Sequence, residues 1–112
     1  MRDRLRQLLE GDLYVAAEIW RVARAEYGPK HITAEASVRA YGRAEAALRA
    51  FHAGDGIAVL AYFREEYRTA LRNIAFWESK PLHTDGRAML IAVSRTRKAQ
   101  LELFLPGAEH VS

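Results

Sequence analysis

The segment IAVLAYFREEYRTALRNIAFWE, residues 57–78, has the clearest helical period in the chain. Its inward positions recur in steps of four, three, four and three residues: Phe63, Tyr67, Ala70, Ile74 and Trp77. An α-helix turns by about 100° per residue, so these side chains lie on one face. Pro81 follows shortly after and cannot continue a helix. The segment therefore predicts one long amphipathic helix that packs through this face.

The sequence on either side of this segment predicts further helices over residues 2–9, 13–27, 34–52 and 86–104. We expect Gly11 and Asp12 to interrupt the first of these, and Gly28 to end the second in a left-handed conformation. Thr33 is expected to cap the third. The apolar arc of residues 13–27 is broad, which is typical of a helix covered on more than one side.

These patterns predict an all-α fold, a compact bundle of four to five helices with short connections. The predicted domain covers residues 1–105 and is followed by a frayed tail over 106–112. One alternative stays open near the C-terminus. The stretches MLIAV and AQLELFLP contain apolar runs and alternation that also fit a β-hairpin at about 88–105.

Composition narrows the class of protein. The chain has 112 residues, of which 50% are apolar and 28% charged, a balance typical of globular domains. It has no cysteine, which excludes disulfides, thiolate metal sites and cysteine nucleophiles. The N-terminal segment lacks the apolar core of a signal peptide, so we expect a cytoplasmic protein.

Residues 11–29 carry small and aromatic residues at fixed steps: Gly11, Asp12, Ala16, Trp20 and Ala23. This stretch resembles the second helix of a tetratricopeptide repeat, in which small residues let two helices nest. A repeat of 34 residues needs a matching pattern further along the chain. The sequence after Gly56 lacks the required alanine, so we expect a core helix and no repeat array.

No catalytic motif stands out. The four histidines, at positions 31, 52, 83 and 110, have no metal-ligand spacing. Glu65 and Glu66 are adjacent, so they diverge by about 100° and do not share one face. Neither a glycine-rich phosphate loop nor a nucleophile elbow is present. We therefore expect no enzymatic activity, no metal and no cofactor.

Uncharged and aromatic side chains on the outer side of helices predict a surface for a partner. On the helix over 57–78, Tyr62 and Phe76 point more than 90° away from the inward face, and Thr69 and Asn73 lie between them. Tyr14 occupies a similar position on the second helix. Arg97 lies within the apolar stripe of the last helix, where it either reaches solvent or pairs with a carboxylate. The predicted partner-binding residues are Tyr14, Tyr62, Thr69, Asn73, Phe76 and Arg97.

These features predict a protein that acts by binding other proteins, as a homodimer and through a regulatory target. Its concrete form is an anti-activator or adaptor that covers a surface of a larger partner such as a transcription factor. The alternative is nucleic-acid binding through Arg87, Arg95, Arg97 and Lys98, together with the N-terminal Arg2, Arg4 and Arg6. A third hypothesis is a ligand site inside the bundle near Trp20, Tyr41 and Tyr67.

Overall fold

The computed structural model describes residues 2–105, which form four α-helices. These are α1 (Arg2–Tyr27), α2 (Ile32–His52), α3 (Gly56–Glu78) and α4 (Arg87–Glu102). The all-α prediction is confirmed. The hairpin alternative at 88–105 is wrong, because α4 covers most of that range and the described residues contain no strand. The tail predicted over 106–112 lies outside the described residues.

The first helix is longer than the sequence indicated. Gly11 and Asp12 were expected to separate two helices, but α1 runs through both without a break. Glycine inside a helix costs about 1 kcal/mol relative to alanine. Burying a leucine side chain contributes about 2 kcal/mol, and Leu9, two residues before the glycine, is fully buried. Packing therefore outweighs the local preference of the glycine.

The chain divides between Val59 and Leu60, in the first turn of α3, into two compact units. The single domain predicted over 1–105 stays a prediction. In the first unit α1 and α2 are antiparallel, because the Trp20 and Tyr41 rings lie 5.5 Å apart and the Arg2 guanidinium lies 4.5 Å from the centre of the Phe51 ring. The buried side chains of this unit are mostly small: Ala23, Ala34, Ser37, Ala44 and Ala47.

The turns of the first unit depend on two left-handed glycines. Gly28, with φ of 86°, ends α1 as predicted, and Gly54, with φ of 76°, follows the end of α2. The cap of α2 differs from the expectation. His31 is the N-cap, since its Nδ1 accepts a hydrogen bond from the Thr33 N–H at 3.1 Å. Thr33 is therefore the second residue of the helix.

In the second unit α3 and α4 are antiparallel. Phe63 of α3 stacks on Phe104, just after α4, at 5.8 Å between ring centres, and the Tyr67 hydroxyl donates to Glu102 at 3.1 Å. The predicted inward face of α3 is confirmed. Its residues Phe63, Tyr67 and Ala70 are buried, and Ile74 and Trp77 are half-buried.

The face that α4 buries is rotated from the expected one. The helical period over residues 86–104 predicts one inward stripe of Leu90, Val93, Leu101 and Phe104, with Ile91 off that stripe. In the structure Leu101 is buried, Leu90 is half-buried and Val93 is exposed. Ile91, which was expected to lie off the stripe, is buried instead. Apolar residues occur on several sides of this helix, so the sequence pattern alone selects the wrong side.

Candidate interaction surface

The strip predicted on α3 is only partly exposed. Tyr62 and Thr69 are half-buried, and the Thr69 hydroxyl accepts a hydrogen bond from Arg72 at 3.0 Å. Asn73 is exposed, and Phe76 is 51% exposed. The Phe76 ring lies under the Lys80 ammonium at 4.5 Å. Phe76 is therefore the one widely exposed large apolar side chain of this strip.

Tyr14 and Arg97 lie in different environments. Tyr14 is 70% exposed on α1. Arg97 is largely buried and pairs with Glu66 of α3 at 3.0 Å, with side-chain exposures of 22% and 25%. The carboxylate that the position of Arg97 required is therefore supplied within the chain, by a residue 31 positions earlier.

The four basic residues of α4 proposed for nucleic acid are held by contacts within the second unit, whereas Arg2, Arg4 and Arg6 lie in the first unit. Arg87 donates to the backbone carbonyls of Lys80 and Glu78, at 3.1 and 3.4 Å. Arg95 pairs with the Glu78 carboxylate at 2.6 Å, and Lys98 pairs with Glu102 at 3.1 Å. A phosphate would compete with these carboxylates and carbonyls for the same cationic groups, and likewise with Glu66 for Arg97.

The largest concentration of exposed apolar residues lies on the first unit, where α1 was expected to be most deeply covered. Val15 and Ile19 of α1 are each 55% exposed, Val22 is 44% exposed, and Ile32 of α2 is 74% exposed. The three α1 residues are four and three positions apart and share one side of the helix. Together with Ile32, Ala36 and Ala40 of α2, these three residues form a surface that we call the α1–α2 face.

An open groove of about 420 Å³ lies on the α1–α2 face. Ile19 and Ile32 line it together with residues of the first half of α2: Thr33, Ala36, Ser37 and Ala40. The hydroxyl of Ser37 donates to the Thr33 carbonyl at 2.7 Å, so its one donor is used within α2. The groove is therefore lined almost wholly by apolar groups and suits an aliphatic side chain from another polypeptide.

Charged and aromatic residues are neighbours of this face in the sequence. Arg21 donates to Glu18 at 2.8 Å, and this hydrogen bond holds the pKa of the Glu18 carboxyl below its ordinary value. Near the start of α2, Tyr27 stacks on His31 with 4.8 Å between ring centres. An apolar centre with polar groups around it is the usual anatomy of a protein interface.

The sequence contains a signal for this face, the broad apolar arc of α1, but that arc also predicts side chains buried inside the bundle. A broad apolar arc on α1 predicts a wide contact, but apart from Phe51 near its end α2 presents alanine and serine at its buried positions. Small side chains cover only a narrow stripe of a neighbouring helix, so Val15, Ile19 and Val22 remain outside the contact. The small-residue pattern of α2 was visible in the sequence and could have revealed this.

Comparison with known proteins gives no family and no relative. No family model matches the chain, and no curated protein or solved structure is significantly similar to it. Within residues 2–105, no three histidine or carboxylate side chains are grouped to hold a metal ion. In the same residues no helix has the length and apolar content needed to cross a membrane.

Proposed function

We propose that the chain functions by binding another polypeptide through the α1–α2 face. The observation that carries this proposal is the groove lined by Ile19 and Ile32, two large aliphatic side chains that are more than half exposed. Contiguous exposed apolar surface is unfavourable in water and marks interaction sites in proteins of this size. Binding a helix or an extended segment in the groove would remove this surface from water.

The regulatory form of the proposal is occlusion. A chain of 112 residues that covers a surface of a larger protein prevents that surface from binding anything else. An anti-activator or adaptor for a transcription factor would act in this way. The exposed aliphatic residues of the α1–α2 face support this form, because they would supply the contact.

The experiment compares affinity capture from native lysate by three tagged forms of the full chain. One is the unchanged chain, one carries Ile19→Asp with Ile32→Asp, and the control carries Ile57→Asp. Ile57 is 86% exposed and is not among the residues that line the groove. Circular dichroism checks that all three forms keep the same helix content.

We expect the Ile57 variant to retain the captured polypeptides and the double variant to lose them. A buried carboxylate without a partner is costly at an interface, and two in one groove should weaken binding by more than about a hundredfold. Identical capture by all three forms would show that the captured polypeptides do not bind at the α1–α2 face.

A further inference from the structure

One stripe of α1 is complementary to itself when its direction is reversed. The stripe contains Arg4, Leu8, Gly11, Val15, Ile19, Val22 and Glu26, spaced by four, three, four, four, three and four residues. At about 100° per residue, all seven positions lie within about 40° of Val15 around the helix. Leu8 is half-buried and the other six are exposed. The spacing is symmetric about Val15.

We propose that the chain forms a homodimer in which α1 packs antiparallel on α1 of a second copy, with the two-fold axis beside Val15. This inference rests on the proposed function and names a second copy as the polypeptide bound at the α1 side of the α1–α2 face. Residues whose numbers sum to 30 then lie opposite each other. A two-fold axis makes each such contact twice, so a self-complementary stripe is favoured.

Charge complementarity supports the antiparallel direction. Arg4 and Glu26 are both exposed, and neither has an ion-pair partner in the described part of the chain. They are 22 residues apart on one helix, about 33 Å, so they cannot meet within one copy. The antiparallel dimer places Arg4 of each copy opposite Glu26 of the other. A parallel dimer would place like charges together.

The apolar positions also pair by size. Leu8 lies opposite Val22 of the second copy, which joins two aliphatic side chains. Gly11 lies opposite Ile19. A Cβ at Gly11 would have no heavy atom within 4 Å, so the surface has open space there for the larger side chain. Glycine in an exposed helix is unfavourable, and close approach of a second helix gives it a use at this position.

The available area is sufficient for a stable dimer. A standard interface buries about 800 Å² on each partner, roughly 60% of it apolar. From their fractional exposures, the four large residues of the α1–α2 face, Val15, Ile19, Val22 and Ile32, offer about 400 Å² of mostly apolar surface. The rest of the buried area comes from the stripe itself, including Arg4, Leu8 and Glu26.

Disulfide crosslinking tests the proposal directly, because the chain has no cysteine of its own. Under mild oxidation, we expect Val15→Cys to link two copies of the full chain. Leu8→Cys alone should not link, whereas a mixture of Leu8→Cys and Val22→Cys chains should. The matched control is Ile57→Cys, an 86% exposed site outside the stripe, which gives the background rate of collision.

Charge reversal provides a second, independent measurement by sedimentation velocity at low salt. Arg4→Glu and Glu26→Arg should each raise the dissociation constant of the dimer about tenfold, since each change affects two symmetric pairs. The chain that carries both changes restores opposite charges across the interface and should recover the original constant. Recovery depends on the pairing itself and not on helix stability.

Three results would overturn the dimer. The first is a chain that stays monomeric at about 100 µM. The second is a disulfide crosslinking rate of Val15→Cys no higher than that of the Ile57→Cys control. The third is a disulfide between two Leu8→Cys chains. A monomer whose capture still depends on Ile19 and Ile32 rejects the dimer and leaves the proposed function standing. A Val15-linked dimer with capture unchanged by the Asp substitutions supports the dimer and rules out other proteins as occupants of this face.

Discussion

Replacement of Gly11 by alanine is expected to stabilise the first unit, which we also call the α1–α2 unit, by about 1 kcal/mol. Gly11 lies inside α1 without a positive φ, and the added Cβ would have no heavy atom within 4 Å. Alanine therefore adopts the native backbone without strain, and the unfolded chain loses conformational freedom. For a chain of this length the change raises Tm by roughly 4 °C.

Two other glycines calibrate this result. Gly42 lies inside α2 and also has no heavy atom within 4 Å of an added Cβ, so Gly42→Ala should give the same gain. Gly54 has a φ of 76°, where a side chain costs about 1–2 kcal/mol, so Gly54→Ala should destabilise the same unit. The three variants make the same chemical change and differ in backbone conformation.

The assay is urea unfolding followed by tryptophan fluorescence in a Trp77→Phe background. This leaves Trp20, which packs 5.5 Å from Tyr41, as a reporter of the α1–α2 unit alone. Protein is kept dilute so that the proposed dimer does not contribute. If Gly42→Ala stabilises the unit and Gly11→Ala does not, α1 is interrupted at Gly11 and its continuity through that residue is refuted.

Two further predictions concern the second unit. Phe63→Ala should lower the free energy of unfolding in urea by about 3–5 kcal/mol, because Phe63 is 1% exposed. Phe76→Ala, at a 51% exposed site, should lower it by less than about 1 kcal/mol. Equal losses would show that Phe63 is not in the core. Hydrogen bonds from Lys98 and Tyr67 hold the pKa of Glu102 below its ordinary value. The ionised Glu102 therefore stabilises the fold at pH values above the ordinary pKa of a glutamate. This stabilisation is lost as the pH falls through the lowered pKa. Glu102→Gln should therefore be less stable than the unchanged chain at pH 7, and the difference should disappear once the pH falls below the lowered pKa of Glu102. A difference that persists in acid would contradict this.

Periodicity predicted α3 correctly because one side of that helix dominates. Phe63, Tyr67 and Ala70 recur at helical spacing, and most residues between them are charged, so one orientation buries more apolar area than the others. The helix α4 lacks this contrast. Ile91 and Val93 lie on different sides, and the choice between them depends on what α3 presents, which local sequence does not contain.

The sequence also does not specify ion pairs between residues that are far apart in the chain. The position of Arg97 in an apolar stripe predicts that it either reaches solvent or pairs with a carboxylate, and it does not select a partner among the fourteen acidic residues. The structure pairs it with Glu66, which a helical pattern had set aside as one of two adjacent glutamates. The apolar position of Arg97 can be read from the local sequence, whereas the identity of its ion-pair partner depends on the antiparallel packing of α3 and α4.

The continuity of α1 changes where an interface is expected. Had Gly11 and Asp12 separated two helices, residues before the break would have no fixed angular relation to those after it, and Arg4 and Leu8 could not share a stripe with Val22 and Glu26. One unbroken helix fixes that relation over its 26 residues. The outer strip of α3 offers one widely exposed ring, whereas α1 offers a repeated aliphatic contact with opposite charges at its two ends. Energetically, the second surface is the better candidate, because interfaces gain most from contiguous apolar burial and gain direction from charge.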